Sequence, residues 1–174
     1  HGIGDWTDED FIRALRHGQS PNGSNFFPVF PYPSYTAMTE ADMRDLKAYI
    51  FSLPSVSQAN RPHDVGPPFG WRFPVTFWKW LFFEPGAFTP DPARDETWNR
   101  GAYLATALGH CGECHTPRNA FGAVDTDRAF AGTADGPEGG AVPNITPHPD
   151  TGIGGWSADD LDTLFTIGML PDGD

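Results

Sequence analysis

Two cysteines and a neighbouring histidine are the residues of this chain whose spacing most directly encodes chemistry. They stand in the run Cys111-Gly112-Glu113-Cys114-His115, and the 174 residues contain no other cysteine. In a Cys-x-x-Cys-His motif the two thiols reach one edge of a porphyrin from a single helical turn, and the adjoining imidazole ligates the iron. The spacing predicts one haem c, held covalently by Cys111 and Cys114, with His115 as the proximal iron ligand.

Other uses of a cysteine pair fit this sequence less well. A structural zinc site normally draws on another Cys or His pair at matching spacing, and the chain has no second cysteine pair. A thioredoxin-like redox pair belongs to a βαβ pattern, which is missing here. A disulfide would leave the adjoining histidine unexplained. A non-haem metal-binding module remains the alternative at this position.

Composition and charge limit the fold and the partners. The chain has 18 prolines and 20 glycines, which predict short helices separated by many stiff loops. Its net charge is −12 with only 11 Lys and Arg residues, a balance that excludes nucleic acid as a partner. No apolar run is long enough to span a bilayer.

A helix is predicted directly before the cysteines, over residues 98–109. Tyr103, Ala107 and Leu108 recur at helical spacing, and Gly109 ends the run. Gly101 lies inside this helix, where glycine is unfavourable, so a close helix crossing is expected there, the alternative being a tolerated surface glycine.

The two ends of the chain repeat each other. Residues 2–7 match residues 152–157, and the offset of 150 holds without gaps through Gly23 and Gly173. In both copies a Ser or Thr stands three residues before an Asp, a capping box that predicts helices beginning at Thr7 and Ser157. The repeat indicates two related domains, each incomplete. We assign 1–54 to the C-terminal part of the first, 97–174 to the N-terminal part of the second, and 55–96 to a linker.

The first copy continues into a proline-stiffened aromatic loop over residues 26–38 and then a helix from about Thr39 to Ser52, with a capping box at Thr39 and Asp42. Met38 ends the loop, where its thioether is a candidate sixth ligand of a haem in the first domain; core packing is the alternative. Met43 lies within the helix and is expected to pack.

The linker is strongly aromatic at its centre. Because linkers this apolar are rarely left in water, we expect it to wrap the two domains; a lipid interface or a partner subunit are the alternatives. His63 is expected at the surface and His110 at a helix end. The aromatic and aliphatic residues concerned are Phe69, Trp71, Phe73, Phe77, Trp78, Trp80, Leu81, Phe82 and Phe83.

In combination, these stretches resemble the di- and tri-haem cytochrome c subunits of bacterial membrane-bound dehydrogenases for alcohols, gluconate and sorbitol. The resemblance covers nearly the whole chain. The matching stretches are Gly-Ile-Gly-Asp-Trp at 2–6, Pro-Tyr-Pro-Ser-Tyr-Thr-Ala-Met-Thr at 31–39, Trp-Asn-Arg-Gly-Ala-Tyr-Leu at 98–104, Gly-His-Cys-Gly-Glu-Cys-His-Thr-Pro-Arg-Asn at 109–119, Pro-Asn-Ile-Thr-Pro at 143–147 and Gly-Ile-Gly-Gly-Trp at 152–156.

The resemblance implies tandem all-α cytochrome c domains, a second haem in the full-length protein, His/Met-ligated iron, and export to the periplasm with a signal peptide that is not in this chain. It implies Met38 as an axial ligand of the first-domain haem. It also implies that the Pro143 carbonyl accepts the Nδ1 proton of His115. The residues expected near the haem propionates are Asn144, Thr146 and Trp156.

The expected function is electron relay, from a dehydrogenase subunit to quinone or a terminal oxidase, with no substrate chemistry by this chain itself. Peripheral membrane association through the linker fits the same expectation. One rival is a haem enzyme of the peroxidase or thiosulfate-oxidising type, with an open or unusual sixth iron position. A further arrangement left open is one shared haem enclosed by residues 1–56 and 97–174, with Met38 completing the iron on His115.

Overall fold

The computed structural model describes residues 2–61, 64, 66, 70–136 and 139–173, so His63 and Phe69 lie outside the described residues. These segments are helical and contain no β-strand, only isolated bridges, which confirms the all-α class. The α-helices are α1 (Asp8–His17), α2 (Tyr32–Tyr35), α3 (Glu40–Ser52), α4 (Phe73–Phe82), α5 (Glu96–Tyr103), α6 (Gly112–His115) and α7 (Ala158–Ile167).

Both copies of the repeat form the same local structure. Thr7 caps α1 and Ser157 caps α7, each through a complete capping box with the Asp three residues later, which confirms the two predicted helix starts. Each helix ends at a glycine in the left-handed conformation, with φ of 56° in the first copy and 73° in the second. Local sequence therefore determines this element in both places.

The start of α3 departs from the predicted capping box. The Thr39 hydroxyl accepts the Asp42 N–H at 3.1 Å, as expected. The Thr39 N–H, however, donates to the hydroxyl oxygen of Tyr103 at 3.0 Å, and that hydroxyl in turn donates to the Asp42 carboxylate. The predicted reciprocal bond is thus wrong, because a tyrosine hydroxyl from a distant segment stands between its two partners.

The helix before the cysteines is less regular than predicted. After α5 the backbone continues as a π-helical turn over Leu104–Leu108, which the Gly109 N–H closes on the Leu104 carbonyl at 2.7 Å. His110 follows in the left-handed region with φ of 39°. The close helix crossing expected at Gly101 is wrong, since a Cβ added there would meet no atom within 4 Å.

Contacts divide the chain into two compact units, His1–His110 and Cys111–Asp174. Residues 97–110 fall in the first unit because Tyr103 and Ala107 are buried in its core, at 6% and 0% exposed. That core consists of Phe11, Leu15, Met38, Met43, Tyr103 and Ala107. The assignment of 97–174 to a second domain stays a prediction.

The linker helix α4 packs against the first unit with one face. Val75 is buried, and the Lys79 ammonium donates to the His17 carbonyl and, at 3.0 Å, to the Asn25 side-chain oxygen. Just after the helix, the Phe83 ring meets Tyr32 edge-on at a centroid distance of 5.0 Å. Helix α4 and Phe83 therefore pack as part of the first unit.

Candidate functional site

The Cys-x-x-Cys-His residues lie on one short turn of helix at the start of the second unit. The backbone N–H groups of Cys114 and His115 both donate to the Cys111 carbonyl, at 3.3 and 3.0 Å. The two cysteines are not joined in a disulfide; Cys111 is half-buried and Cys114 is exposed. One short turn thus carries two free thiols and an imidazole.

The His115 ring is held by a hydrogen bond to a backbone carbonyl. Its Nδ1 atom lies 2.8 Å from the carbonyl oxygen of Pro143, the contact that the family resemblance implied. A carbonyl oxygen can only accept, so Nδ1 carries the proton and Nε2 keeps its lone pair. This bond sets the tautomer and the ring orientation, and it makes Nε2 the atom available to a metal.

Two paired backbone segments place the Pro143 carbonyl. Thr133 and Val142 exchange hydrogen bonds of 2.9 and 2.8 Å, and the Ile145 N–H donates to the Phe130 carbonyl at 3.0 Å. The Gly132 N–H donates to the His115 carbonyl at 2.7 Å. The same pair of segments therefore holds both the backbone and the ring of His115.

Gly132 is a site residue that sequence reasoning missed. Its φ is 75°, and a Cβ there would lie 2.6 Å from the Asn144 nitrogen and the Val142 oxygen. Neither atom can give way, because both belong to backbone. Only glycine permits the close approach that presents Pro143 to the histidine, and nothing in its sequence neighbourhood distinguishes it from the other glycines.

Arg118 and Thr116 are two further positioning residues of the attachment turn. The Arg118 guanidinium donates to the Glu113 carboxylate at 2.6 Å and to the Gly122 carbonyl at 2.7 Å. The Thr116 side chain is buried, and its hydroxyl accepts the Phe130 N–H at 3.0 Å. These contacts tie the residue between the two cysteines, and the residue after the histidine, to the rest of the unit.

The three residues expected near haem propionates lie in one connected loop. Asn144 accepts from the Thr146 N–H at 2.8 Å and from its hydroxyl at 2.7 Å. The Ile153 N–H donates to the Thr146 carbonyl at 2.9 Å, and the Trp156 N–H closes a turn on Ile153 at 3.0 Å. The structure therefore connects Asn144, Thr146 and Trp156, while their role toward a propionate stays a prediction.

Met38 lies in the first unit. It is 3% exposed and belongs to the apolar core with Phe11 and Leu15. Met43 is fully buried in the same core, in agreement with the packing role expected for it.

An apolar cavity of about 470 Å³ opens beside this core. It shares Phe11 and Leu15 with the Met38 cluster, and Met38 itself is not among the residues that line it. The cavity is large enough for a bulky planar ligand and offers it almost exclusively hydrocarbon. The lining residues are Ile3, Trp6, Phe11, Ala14, Leu15, Phe26, Phe30, Tyr35, Leu46 and Ile50.

Comparison with known proteins finds that the chain is similar to cytochromes. No protein-family model matches it. It is 45% identical over 175 residues to a diheme cytochrome c-type protein of Cereibacter sphaeroides, covering all of this chain and 57% of that protein. It is 38% identical to the cytochrome c subunit of the quinone alcohol dehydrogenase of Komagataeibacter europaeus, covering 98% and 38%.

The gluconate 2-dehydrogenase cytochrome c subunit of Pantoea cypripedii is 37% identical, over 96% of this chain and 40% of that protein. The resemblance inferred from the sequence is thereby confirmed: homologues over nearly the whole chain are diheme cytochromes c and cytochrome c subunits of dehydrogenases. The chain spans 57% or less of these relatives' own lengths.

Proposed function

We propose that this chain, a homologue of the cytochrome c subunits of bacterial dehydrogenases, is an electron-transfer cytochrome with a haem c bound at Cys111 and Cys114. The observation that carries the proposal is the His115 ring, held on the Pro143 carbonyl so that Nε2 is left as an iron ligand. When bound, haem supplies a one-electron ferric/ferrous couple. The chain's residues bind it, orient the imidazole and raise the basicity of Nε2.

The residues of the attachment turn fit a haem better than a bare metal ion. A zinc ion needs its ligand atoms to converge within about 2.0–2.3 Å of one point. Among the described residues, no group of three His, Cys, Asp or Glu side chains is arranged to hold a metal ion. Thioether attachment does not require converging ligand atoms; it requires two accessible thiols that are separated from the imidazole. Each thiol adds its sulfur and its proton across one vinyl group, so the reaction needs no oxidant.

The test is mass spectrometry and absorption spectroscopy of the exported natural-length protein. We expect the peptide containing Cys111 and Cys114 to carry one haem through two thioether bonds. In His115→Ala the thioethers should persist while the low-spin spectrum of this haem is lost; His148→Ala, on the same unit, is the matched control and should keep it. Unmodified thiols or bound zinc would contradict the proposal.

The first unit is proposed to hold a second haem in the apolar cavity, with the Met38 side chain turning from the adjoining core into the cavity to serve as an axial ligand. Support comes from the cavity's apolar lining, from the burial of Met38 in a core that shares Phe11 and Leu15 with the cavity wall, and from a relative that is a diheme cytochrome. Its thioether attachment would come from outside these 174 residues, since the chain has two cysteines. A haem count of two or more in the natural-length protein is expected; a count of one would overturn this assignment.

The tandem-domain arrangement is supported by an unequal burial of equivalent helices. Leu15 on α1 is 4% exposed, whereas Phe165, its equivalent on α7, is 83% exposed. A large apolar side chain is rarely left in water at a position that its repeat copy buries. We assign the uncovered face of α7 to packing within a second cytochrome domain of a longer chain, the counterpart of 1–54.

The proposed partners are a dehydrogenase as electron donor and quinone or a terminal oxidase as acceptor, in the periplasm. The names of the relatives support a dehydrogenase partner. The test is co-purification of the natural-length protein with a dehydrogenase whose substrate reduces its haems. Carbon monoxide separates this relay from a haem enzyme: an iron with both axial positions filled should resist it, whereas a rapid change in the ferrous spectrum would favour the enzyme.

Peripheral membrane association is proposed through the outer face of α4. Phe73, Phe77, Trp80 and Leu81 are 72%, 55%, 82% and 62% exposed and follow one helix face. No helix in the described part of the chain is both long and apolar enough to cross a membrane. A short helix with Trp, Phe and Leu on its outer face suits a lipid interface. Binding to phosphatidylcholine vesicles should fall in Phe77→Ser/Trp80→Ser but not in Val29→Ser, which removes an apolar side chain that is 83% exposed outside α4.

A further inference from the structure

The turn that carries Met38 is held from several segments of the first unit. The Met38 N–H donates to the Tyr35 carbonyl at 3.0 Å, which closes the turn itself. From the linker, the Phe88 N–H donates to the Ala37 carbonyl at 2.8 Å and the Gly86 N–H to the Thr36 hydroxyl at 2.9 Å. The Arg16 guanidinium of α1 donates to the Thr36 carbonyl. The turn is therefore fixed by bonds from α1, from the linker and from its own backbone.

Tyr103 holds the backbone directly after Met38. Its hydroxyl oxygen accepts the Thr39 N–H at 3.0 Å, and this N–H belongs to the peptide that joins Met38 to Thr39. The Tyr103 hydroxyl donates a hydrogen bond to the Asp42 carboxylate. The same carboxylate accepts a hydrogen bond from the Thr39 hydroxyl at 2.8 Å. Tyr103 is 6% exposed, so its ring cannot swing away without disrupting the core.

The protonation states of Asp42 and Tyr103 determine which of them donates the hydrogen bond between them. Hydrogen bonds from Tyr103 and Thr39 lower the pKa of Asp42, so its carboxylate is ionised at neutral pH. Burial, and then the Asp42 interaction, raise the pKa of Tyr103, so the phenol stays protonated. The phenol hydroxyl thus donates a hydrogen bond to the carboxylate, and a lone pair of the Tyr103 oxygen accepts the Thr39 N–H.

We propose that Tyr103 is a positioning residue for the Met38 sulfur, acting through the Met38–Thr39 peptide, and that it raises the affinity of Met38 for iron. This inference rests on the proposed role of Met38 as an axial ligand. Tyr103 is the last residue of α5 and belongs to the same unit as Met38.

The test is Tyr103→Phe in the haem-loaded natural-length protein, since phenylalanine keeps the ring and removes only the hydroxyl. Added imidazole competes with the methionine for ferric iron, and its apparent affinity should rise about fivefold, the factor for losing one hydrogen bond of ordinary strength. The methionine-to-ferric-iron charge-transfer absorption should weaken in parallel. Tyr49→Phe on α3, where Tyr49 is 65% exposed, is the matched control and should change neither.

Two variants separate this inference from the function it rests on. Met38→Ala should abolish the charge-transfer absorption of one haem; if that absorption survives, the ligand assignment fails and the role of Tyr103 fails with it. If Met38→Ala abolishes it but Tyr103→Phe binds imidazole like the wild type, the ligand assignment stands and the positioning role is overturned. A Tyr103→Phe protein that is less stable to heat yet unchanged in imidazole affinity also overturns it, because that is the signature of packing alone.

Discussion

His115 and Pro143 lie 28 residues apart in the sequence, and the histidine Nδ1 is 2.8 Å from the proline carbonyl oxygen. This bond connects the attachment turn to the paired backbone segments of the second unit. A carbonyl acceptor keeps the Nδ1 proton in place and makes Nε2 the more basic nitrogen. The orientation of the proposed iron ligand therefore depends on residues that hold Pro143 as much as on the histidine itself.

Gly132→Ala should weaken the His115–Pro143 contact. The added Cβ would lie 2.6 Å from two backbone atoms, so the segment carrying Pro143 must move. Because the His115 ring is then held less firmly, we expect the low-spin absorption bands of the haem to broaden. We also expect the melting temperature to fall. Gly122→Ala is the control: its φ is also 75° but a Cβ there meets nothing within 4 Å, so it shares only the backbone strain of about 1–2 kcal/mol. Equal effects of the two variants would contradict the predicted clash.

The Glu113–Arg118 ion pair should stabilise the attachment turn. Its side chains are only 11% and 34% exposed, and the shortest contact is 2.6 Å. A double-mutant cycle with Glu113→Gln and Arg118→Gln is expected to give a coupling free energy near the upper end of the range for partly exposed pairs, about 1 kcal/mol. The Asp125–Arg128 pair is the control, because it is 30% and 61% exposed and should couple more weakly. The measurement is chemical denaturation of each variant.

Asp42 should make the stability of the first unit depend on acid pH. Its folded pKa lies below the ordinary value of 3.8, chiefly because of the hydrogen bond from Tyr103. A lowered carboxyl pKa contributes stability that is fully present above the unfolded pKa and is lost as pH falls through the folded pKa. The difference in unfolding free energy between wild type and Asp42→Asn should shrink in that window. In a Tyr103→Phe background the pH dependence of this difference should be smaller; an unchanged profile would contradict the assigned cause.

Lys79 should determine whether α4 stays on the first unit. Its half-buried ammonium donates to the His17 carbonyl and the Asn25 side chain, and burial lowers its pKa. Lys79→Met keeps the apolar part of the side chain and removes both hydrogen bonds. The backbone amides of Phe73–Phe82 should then exchange with solvent about tenfold faster, which corresponds to a loss of roughly 1.4 kcal/mol of local stability. Lys47→Met is the control: it removes a partly buried pair with Asp8, which lies on α1 rather than α4, and should leave α4 exchange unchanged.

Local sequence signals predicted the helices that begin at Thr7 and Ser157, because a capping box is formed by residues three apart. The same signal failed in part at Thr39, where the chain satisfied the backbone N–H with Tyr103 instead of Asp42. The two cases have equivalent local sequences. The difference lies in a partner 64 residues away, which no local pattern contains.

The sequence by itself determined the attachment motif, the repeat and its helix starts, and the helical class, since each depends on residues close together in the chain. Only the tertiary structure decided that Tyr103 packs into the core of the first unit and that Gly132 lies against the backbone of residues 142–144. The physical reason is that burial and close backbone approach are made by segments far apart in sequence. Their partners are selected by packing rather than by spacing.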